Sequence, residues 1–424
     1  MLKVWNAALV LATGILAILG TFLVLIGAML AGSIGLVVWR RAGLRSEHRL
    51  DSLLSREAIF LFNNLVLVGL AFVVFWGTFF PLISEALTGK KASVGPPWFD
   101  RYTVPLTLIL VLLAGIGPVI AWRRATLANL RRNFVVPLGA GLVTLVVLLA
   151  LGVGEKPLAL AMFVFGAFVI GTVSQEFWRG VRARRAMSSE SVPGALVSLV
   201  QRNRRRYGGY LVHAGVAVLF IGVAASSAFQ EARDARLVPG QTMKVDGYDI
   251  RYVRATSGVD GEKISFGAVL DVRRDGKHVA TLRPTRGYYP SQDARGLGTV
   301  GRFFEGESTS EVGLRAGLRR DLWTAVSPDV GALKPFIDEA DRRFANAPPR
   351  VQALLVGTLA ARYQAKPPPA TFRIIASPLV TWIWLGGLIV IAGVLVAIWP
   401  APSAVRRRVR AGYAARVARE LGRA

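Results

Sequence analysis

Long uninterrupted apolar runs constrain this chain more than any other feature. A helix needs roughly 20 mostly apolar residues to cross the ~30 Å hydrocarbon layer of a membrane. Residues 58–83 (AIFLFNNLVLVGLAFVVFWGTFFPLI) meet that length, and runs at 104–122, 134–153, 158–175, 210–229 and 378–399 follow. None of them contains Lys, Arg or Asp. Backbone polar groups in lipid must satisfy one another, so each run reads as a helix. Residues 4–39 form a further apolar block, which as one helix would be about 54 Å long. Two readings stay open there: two short crossings with a turn near 25–32, or one long tilted helix. The total is seven or eight crossings.

Charge orients the spans. The net charge is +26, from 52 basic and 26 acidic residues, which invites a nucleic-acid reading until its placement is examined. Arg40, Arg41, Arg45 and Arg49 follow the first block, and Arg123, Arg124, Arg131 and Arg132 fill the next alternate loop. Eight arginines lie between 179 and 206, and seven more between 400 and 424. With one crossing per run, all these segments fall on one side, which the positive-inside rule makes cytoplasmic. No aromatic–basic platform accompanies the charge, so membrane lipid and not nucleic acid is the expected surroundings.

Residues 230–377 are polar and Gly-rich and fall on the opposite side of the membrane. Segments 243–245, 248–253, 268–272 and 279–282 read as strands, and Asp275-Gly276 supplies the positive φ of a tight hairpin between the last two. A small antiparallel sheet or barrel is expected, with a helical segment at 330–364 that Pro367-Pro368-Pro369 ends on the way back to the membrane. The expected fold class is therefore a polytopic α-helical membrane protein of seven or eight transmembrane helices, with a mainly β domain inserted before the last helix. Its parts are a helical bundle (1–229), a periplasmic β-rich domain (230–377), the last transmembrane helix (378–399) and a basic cytoplasmic tail (400–424).

Conventional catalysis finds little support. There is no cysteine, which excludes thiol chemistry and thiolate metal sites. No Walker A, G-x-S-x-G or H-E-x-x-H sequence occurs, and the carboxylates are scattered. The three histidines are His48, His213 and His278. His48 lies in an arginine-rich loop and His278 beside a hairpin turn, so both read as surface residues. His213 sits four residues into an apolar span, where a titratable side chain is costly and points to function. A neutral imidazole at that depth suits haem iron, with Gly209, Ala214, Gly215 and Ala217 leaving room for a flat macrocycle. The other reading is a histidine capping a helix end or hydrogen-bonding within the bundle. Trp382 and Trp384 read as interfacial anchors, Asn63 and Asn64 as interhelical hydrogen-bonding groups, and Gly95-Pro96-Pro97-Trp98-Phe99 as a rigid external turn.

Several segments together resemble the CcmF family of cytochrome c-type biogenesis proteins, with its close relative NrfE. They are 1–24, 53–64 (LLSREAIFLFNN), 94–99 (VGPPWF), 206–227 (RYGGYLVHAGVAVLFIGVAASS), 231–239, 274–282, 311–322 and 378–387, in order along nearly the whole chain. The resemblance is to the C-terminal portion of full-length members. It implies system I cytochrome c maturation: a haem lyase of the bacterial inner membrane that joins haem, delivered on a carrier protein, to apocytochrome c. It also implies a b-type haem in the membrane, with His213 matching the second of its two histidine ligands. The family's tryptophan-rich segment, its first haem-b histidine and its first periplasmic haem histidine have no counterpart here. A second periplasmic histidine follows Gly20-Thr21-Phe22-Leu23 in the family and is missing too. One of four family haem ligands is thus retained. The expectation is a haem lyase subunit or portion acting with an N-terminal CcmF-like chain, which shares the haem b. Its partners are the haem carrier protein and apocytochrome c. The alternative is a non-catalytic scaffold or degenerate paralogue of the assembly complex.

Overall fold

The computed structural model describes residues 2–44, 52–53, 55–120, 126–260, 263–291, 298, 300–344 and 347–400, with 413, 416, 417, 419, 421 and 422 of the tail. The apolar block at the N-terminus is one unbroken helix, α1 (Leu2–Leu44, 43 residues). No turn interrupts 25–32, so the chain takes the single-helix reading. At 1.5 Å per residue α1 is about 64 Å long, and residues 24–44 are exposed throughout.

The remaining bundle helices are α2 (Arg56–Thr88), α3 (Pro96–Ile116), α4 (Leu127–Ala150), α5 (Pro157–Met187), α6 (Val192–Arg202) and α7 (Arg204–Ala228). Side-chain oxygens cap several starts: Ser55 accepts from the Ala58 amide, Thr126 from Asn129 and Ser191 from Gly194, each meeting an N–H that has no partner inside its helix. Gly89 closes α2 at φ 67°, a left-handed position that costs glycine little. The segment 95–99 is not a free turn. Pro96 and Pro97 open α3, where a missing N–H is tolerated, and the rings of Trp98 and Phe99 occupy the space above Gly77 of α2.

Ten strands follow α7: β1 (Glu231–Leu237), β2 (Thr242–Val245), β3 (Tyr248–Val259), β4 (Ile264–Arg274), β5 (Lys277–Leu282), β6 (Thr285–Tyr288), β7 (Ser308–Glu311), β8 (Gly313–Arg315), β9 (Arg320–Pro328) and β10 (Ala370–Pro378). They form two antiparallel sheets, β1-β10-β9-β8 and β2-β3-β4-β6-β7, with β5 beside β4. The β4–β5 hairpin turns at Asp275 (φ 50°) and Gly276 (φ 75°), and β2–β3 repeats the device at Asp246 (φ 49°) and Gly247 (φ 75°), the paired positive φ of a type I′ turn. Alternate residues of both sheets meet in one core, where Tyr252, Phe266, Leu322, Phe372 and Ile374 are fully buried. The expected single helix at 330–364 is two, α8 (Lys334–Arg343) and α9 (Pro349–Ala365). Leu359 and Tyr363 of α9 complete the core. The triple proline leads into β10 and not straight to the membrane.

The last helix, α10 (Val380–Ile398), starts one residue after β10, with Leu379 at φ 57° making the corner. β1 begins three residues after α7 ends, and β1 pairs with β10 from Glu231↔Ala376 to Leu237↔Ala370. The helices are paired as well. Gly208, Gly215 and Gly222 recur every seven residues along α7, and Gly386 and Gly393 face them from α10. A methyl group on Gly215 would stand 2.8 Å from the Gly386 carbonyl, and one on Gly393 2.8 Å from that of Gly208. Small residues let backbones close in this way when lipid offers no hydrophobic drive between helices.

Candidate functional site

Arg206, Gly209, Tyr210 and His213 are spaced i, i+3, i+4, i+7 and share one face of α7. Arg56, Ile59, Phe60 and Asn63 repeat the spacing on α2. Leu113, Ala114, Gly117 and Pro118 close the third side from the end of α3. These twelve residues line one cavity of about 580 Å³, a size that holds a small organic ligand or cofactor. His213 is half-buried in its wall. Gly209 has no atom within 4 Å of the position a Cβ would take, so the wall beside the histidine is flat.

The room that sequence assigned to the neighbouring small residues is spent elsewhere. Gly215 is filled by α10, Ala217 is buried, and Ala214 packs in the bundle core. Gly209 alone of the four opens beside His213.

One end of the cavity is polar and braced. Glu176 of α5, 8% exposed, accepts hydrogen bonds from Arg206 (Nη2, 2.7 Å), the Tyr210 hydroxyl (3.1 Å) and Arg179 (3.3 Å). Arg206 Nε also donates to the Tyr210 hydroxyl at 2.8 Å. Across the opening, Arg56 donates to the carbonyls of Pro118 (3.1 Å) and Ile120 (3.2 Å), tying the start of α2 to the end of α3. Two guanidinium groups are thereby fixed beside a mainly apolar space. Glu176 was missed from the sequence because it follows its apolar run. The available signal was an acidic residue at the edge of a span whose flanks are otherwise basic.

The other candidate residues are placed as follows. His278 is exposed on the β4–β5 hairpin, with Nδ1 2.6 Å from Asp271 Oδ1. Arg273 and then His278 hold the Asp271 carboxyl below its ordinary range. His48 lies outside the described residues. Asn63 lines the cavity and Asn64 is exposed. Trp384 is 74% exposed, as a lipid-facing anchor should be, whereas Trp382 donates to the Leu318 carbonyl at 3.0 Å. Thr381 beside it donates to the Gly317 carbonyl at 2.9 Å. Both seat the β domain on α10. Among the described residues no group of three or more His, Asp or Glu is placed to hold a metal ion by itself.

The cavity fits part of a haem site. It offers one imidazole, a flat wall, and two fixed guanidinium groups whose charge would suit the carboxylates of a haem. Haem brings its own macrocycle and asks the protein chiefly for axial ligands. The chain holds three histidines; of these, His213 alone lies in the described bundle.

Fold and site together define a polytopic membrane protein with, among the described residues, seven helices long and apolar enough to span and a β-rich domain set before the last of them. The chain is homologous with the CcmF and NrfE proteins over most of its length. It is 28% identical to the cytochrome c-type biogenesis protein CcmF of Pseudomonas aeruginosa, over 99% of this chain and 58% of that protein. It is 30% identical to CcmF of Pseudomonas fluorescens, over 88% of this chain and 47% of the relative. The cytochrome c-type biogenesis protein NrfE of Haemophilus influenzae is 24% identical over 85% and 47%. The solved structure of a cytochrome c haem lyase, CcmF, shares the fold with a TM-score of 0.54 at 23% identity, covering 82% of this chain and 46% of that one. The chain thus spans about half the length of the relatives it matches. No family model matches the sequence.

Proposed function

We propose that this chain is one part of a membrane haem lyase that attaches haem to apocytochrome c during system I cytochrome c maturation. The observation that carries the reading is His213 opening onto a cavity of about 580 Å³ between α2, α3 and α7, in a chain homologous with CcmF. In this reading His213 is one axial ligand of a b-type haem. The second comes from a partner, an N-terminal CcmF-like chain or another lyase subunit. When bound, the haem supplies one-electron redox chemistry. This chain's own contribution is binding and orientation. Gly209 leaves the face of α7 clear, the apolar walls exclude water, and Arg56 and Arg206 suit the propionate carboxylates. Glu176 and Tyr210 keep Arg206 in place.

The reading also sets the topology. The protein is multi-pass in the bacterial inner membrane, with 1–229 as the bundle and 400–424 as a cytoplasmic tail. Residues 230–377 form the periplasmic domain, which docks the apocytochrome or the haem carrier. One helix in place of two at the N-terminus puts that terminus on the periplasmic side as well.

Visible spectra of the chain purified with and without its CcmF-like partner test the proposal. The expected result is a b-type spectrum with the partner that is lost in His213→Ala. A spectrum unchanged in that variant overturns the ligand assignment. Normal c-type cytochromes after deletion of the gene overturn the function. That His213 is the one histidine of the described bundle residues favours one further reading, a scaffold that holds the assembly complex without haem. Its mark is co-purification of partners free of haem.

A further inference from the structure

A second cavity, of about 460 Å³, lies between α5, α6 and α7 at the arginine-rich end of the bundle. Arg179, Arg184, Arg202 and Arg206 all line it. Two carboxylates answer these four guanidinium groups. Glu176 engages Arg179 and Arg206, and Glu190 engages Arg184 at 2.5 Å and 3.2 Å. Arg202 makes no direct ion pair or hydrogen bond among the described residues and is attracted to Glu190 only at longer range, and with four guanidinium groups to two carboxylates the pocket keeps an excess of positive charge. It is a built space. Gly180 lets the neighbouring elements close over α5, since a methyl group there would stand 2.6 Å from Leu199 of α6 and would collide with the Tyr207 hydroxyl.

The helix beside the pocket indicates where the counter-charge comes from. α6 is amphipathic: Ala195 and Leu199 are buried against the bundle, while Val192, Leu196 and Val197 remain exposed. A short helix with apolar side chains on its free face, next to clustered arginines at the end of membrane spans, suits the lipid interface. We propose that this pocket binds the phosphate headgroup of an anionic phospholipid, whose acyl chains cover the exposed face of α6. Basic pockets between membrane helices recognise such headgroups through charge-assisted hydrogen bonds to guanidinium. Arg206 lines both this pocket and the cavity of His213, so the lipid would lie one side chain from the proposed haem site. The inference does not depend on haem.

The test uses the full chain in nanodiscs that mix phosphatidylcholine with a labelled phosphatidylglycerol, reading lipid retention after delipidation. Arg202→Gln should weaken retention of the anionic lipid about five-fold, the effect of one arginine near an anionic surface. Arg205→Gln removes an equal charge from an exposed neighbour outside the pocket and should change retention much less. Equal losses in the two variants would mean diffuse surface charge, and the pocket assignment falls. Retention unaffected by Arg202→Gln also overturns it. Complete displacement of the lipid by inorganic phosphate would make the ligand a soluble anion and overturn the lipid assignment.

Discussion

Gly386 and Gly387 are sequence neighbours on α10 with opposite surroundings, and the same substitution at each should have opposite effects. A methyl group on Gly386 would lie 2.7 Å from the Gly215 carbonyl oxygen and 2.7 Å from Leu219 Cα, where ordinary contact begins at 3.4 Å. The obstacles are backbone atoms of α7, which no side-chain rotation relieves. The Leu219 amide nitrogen is nearer still, so the helices must part by about 1 Å, an overpacking that costs about 1–3 kcal/mol. The gain in helix propensity from Gly to Ala returns about 1 kcal/mol. The net expectation for Gly386→Ala is a loss of up to about 2 kcal/mol. Gly387 meets nothing within 4 Å, so Gly387→Ala keeps only the propensity gain of about 1 kcal/mol. Unfolding by SDS titration in mixed micelles, followed by circular dichroism, measures both. Equal shifts, or a Gly386→Ala variant more stable than Gly387→Ala, would refute the argument that α7 and α10 pack this closely only because glycine faces the contact.

Glu176→Gln removes the charge that three donors share and should destabilise the bundle by about 1–3 kcal/mol, visible as a lowered melting temperature. The side chain of Arg206 is 58% exposed, which keeps the loss below that of a fully buried pair. Burial raises the hydroxyl pKa values of Tyr252, Tyr288 and Tyr363. A raised folded-state value gives stability that is complete below the unfolded value near 10 and is lost as pH climbs above it. The β domain should therefore unfold in alkali, with the tyrosinate absorbance of these three residues appearing together with the loss of sheet and not before it. The Tyr252 and Tyr363 hydroxyls are buried beside one another, with no well-aligned hydrogen bond to any other group of the core, so Tyr363→Phe should change stability at neutral pH by no more than about 1 kcal/mol. A clear drop in denaturant midpoint would show that the hydroxyl is satisfied.

The spans were legible because a lipid crossing needs a run of fixed length, and composition alone reveals it. The hairpin at Asp275-Gly276 was legible because positive φ at two adjacent positions admits few residue types. Asp246-Gly247 carried the same signal. β9 and β10 were harder to read, since β10 follows three prolines and runs into an apolar helix without a break in hydropathy. For the candidate site, His213 stood out as an ionisable group amid apolar neighbours. Its surroundings did not. Gly209 and Gly215 are both glycines on one helix, and only the direction each faces separates an open wall from a sealed seam. Arg56 and Arg206 reach the same cavity from positions 150 residues apart, a proximity that no local pattern encodes.

The paired run of β1 with β10 and of α7 with α10 has a mechanical consequence. Two chain segments leave the bilayer side by side, and short corners join each helix to its strand. Neither the ladder of hydrogen bonds above nor the interlocked backbones below offers a compliant joint. A twist applied to the sheets by a docking protein would thus travel down a stiff two-ply stem to the helix that carries the imidazole. Events at the β domain and the tilt of that ring relative to the bilayer would be geared together.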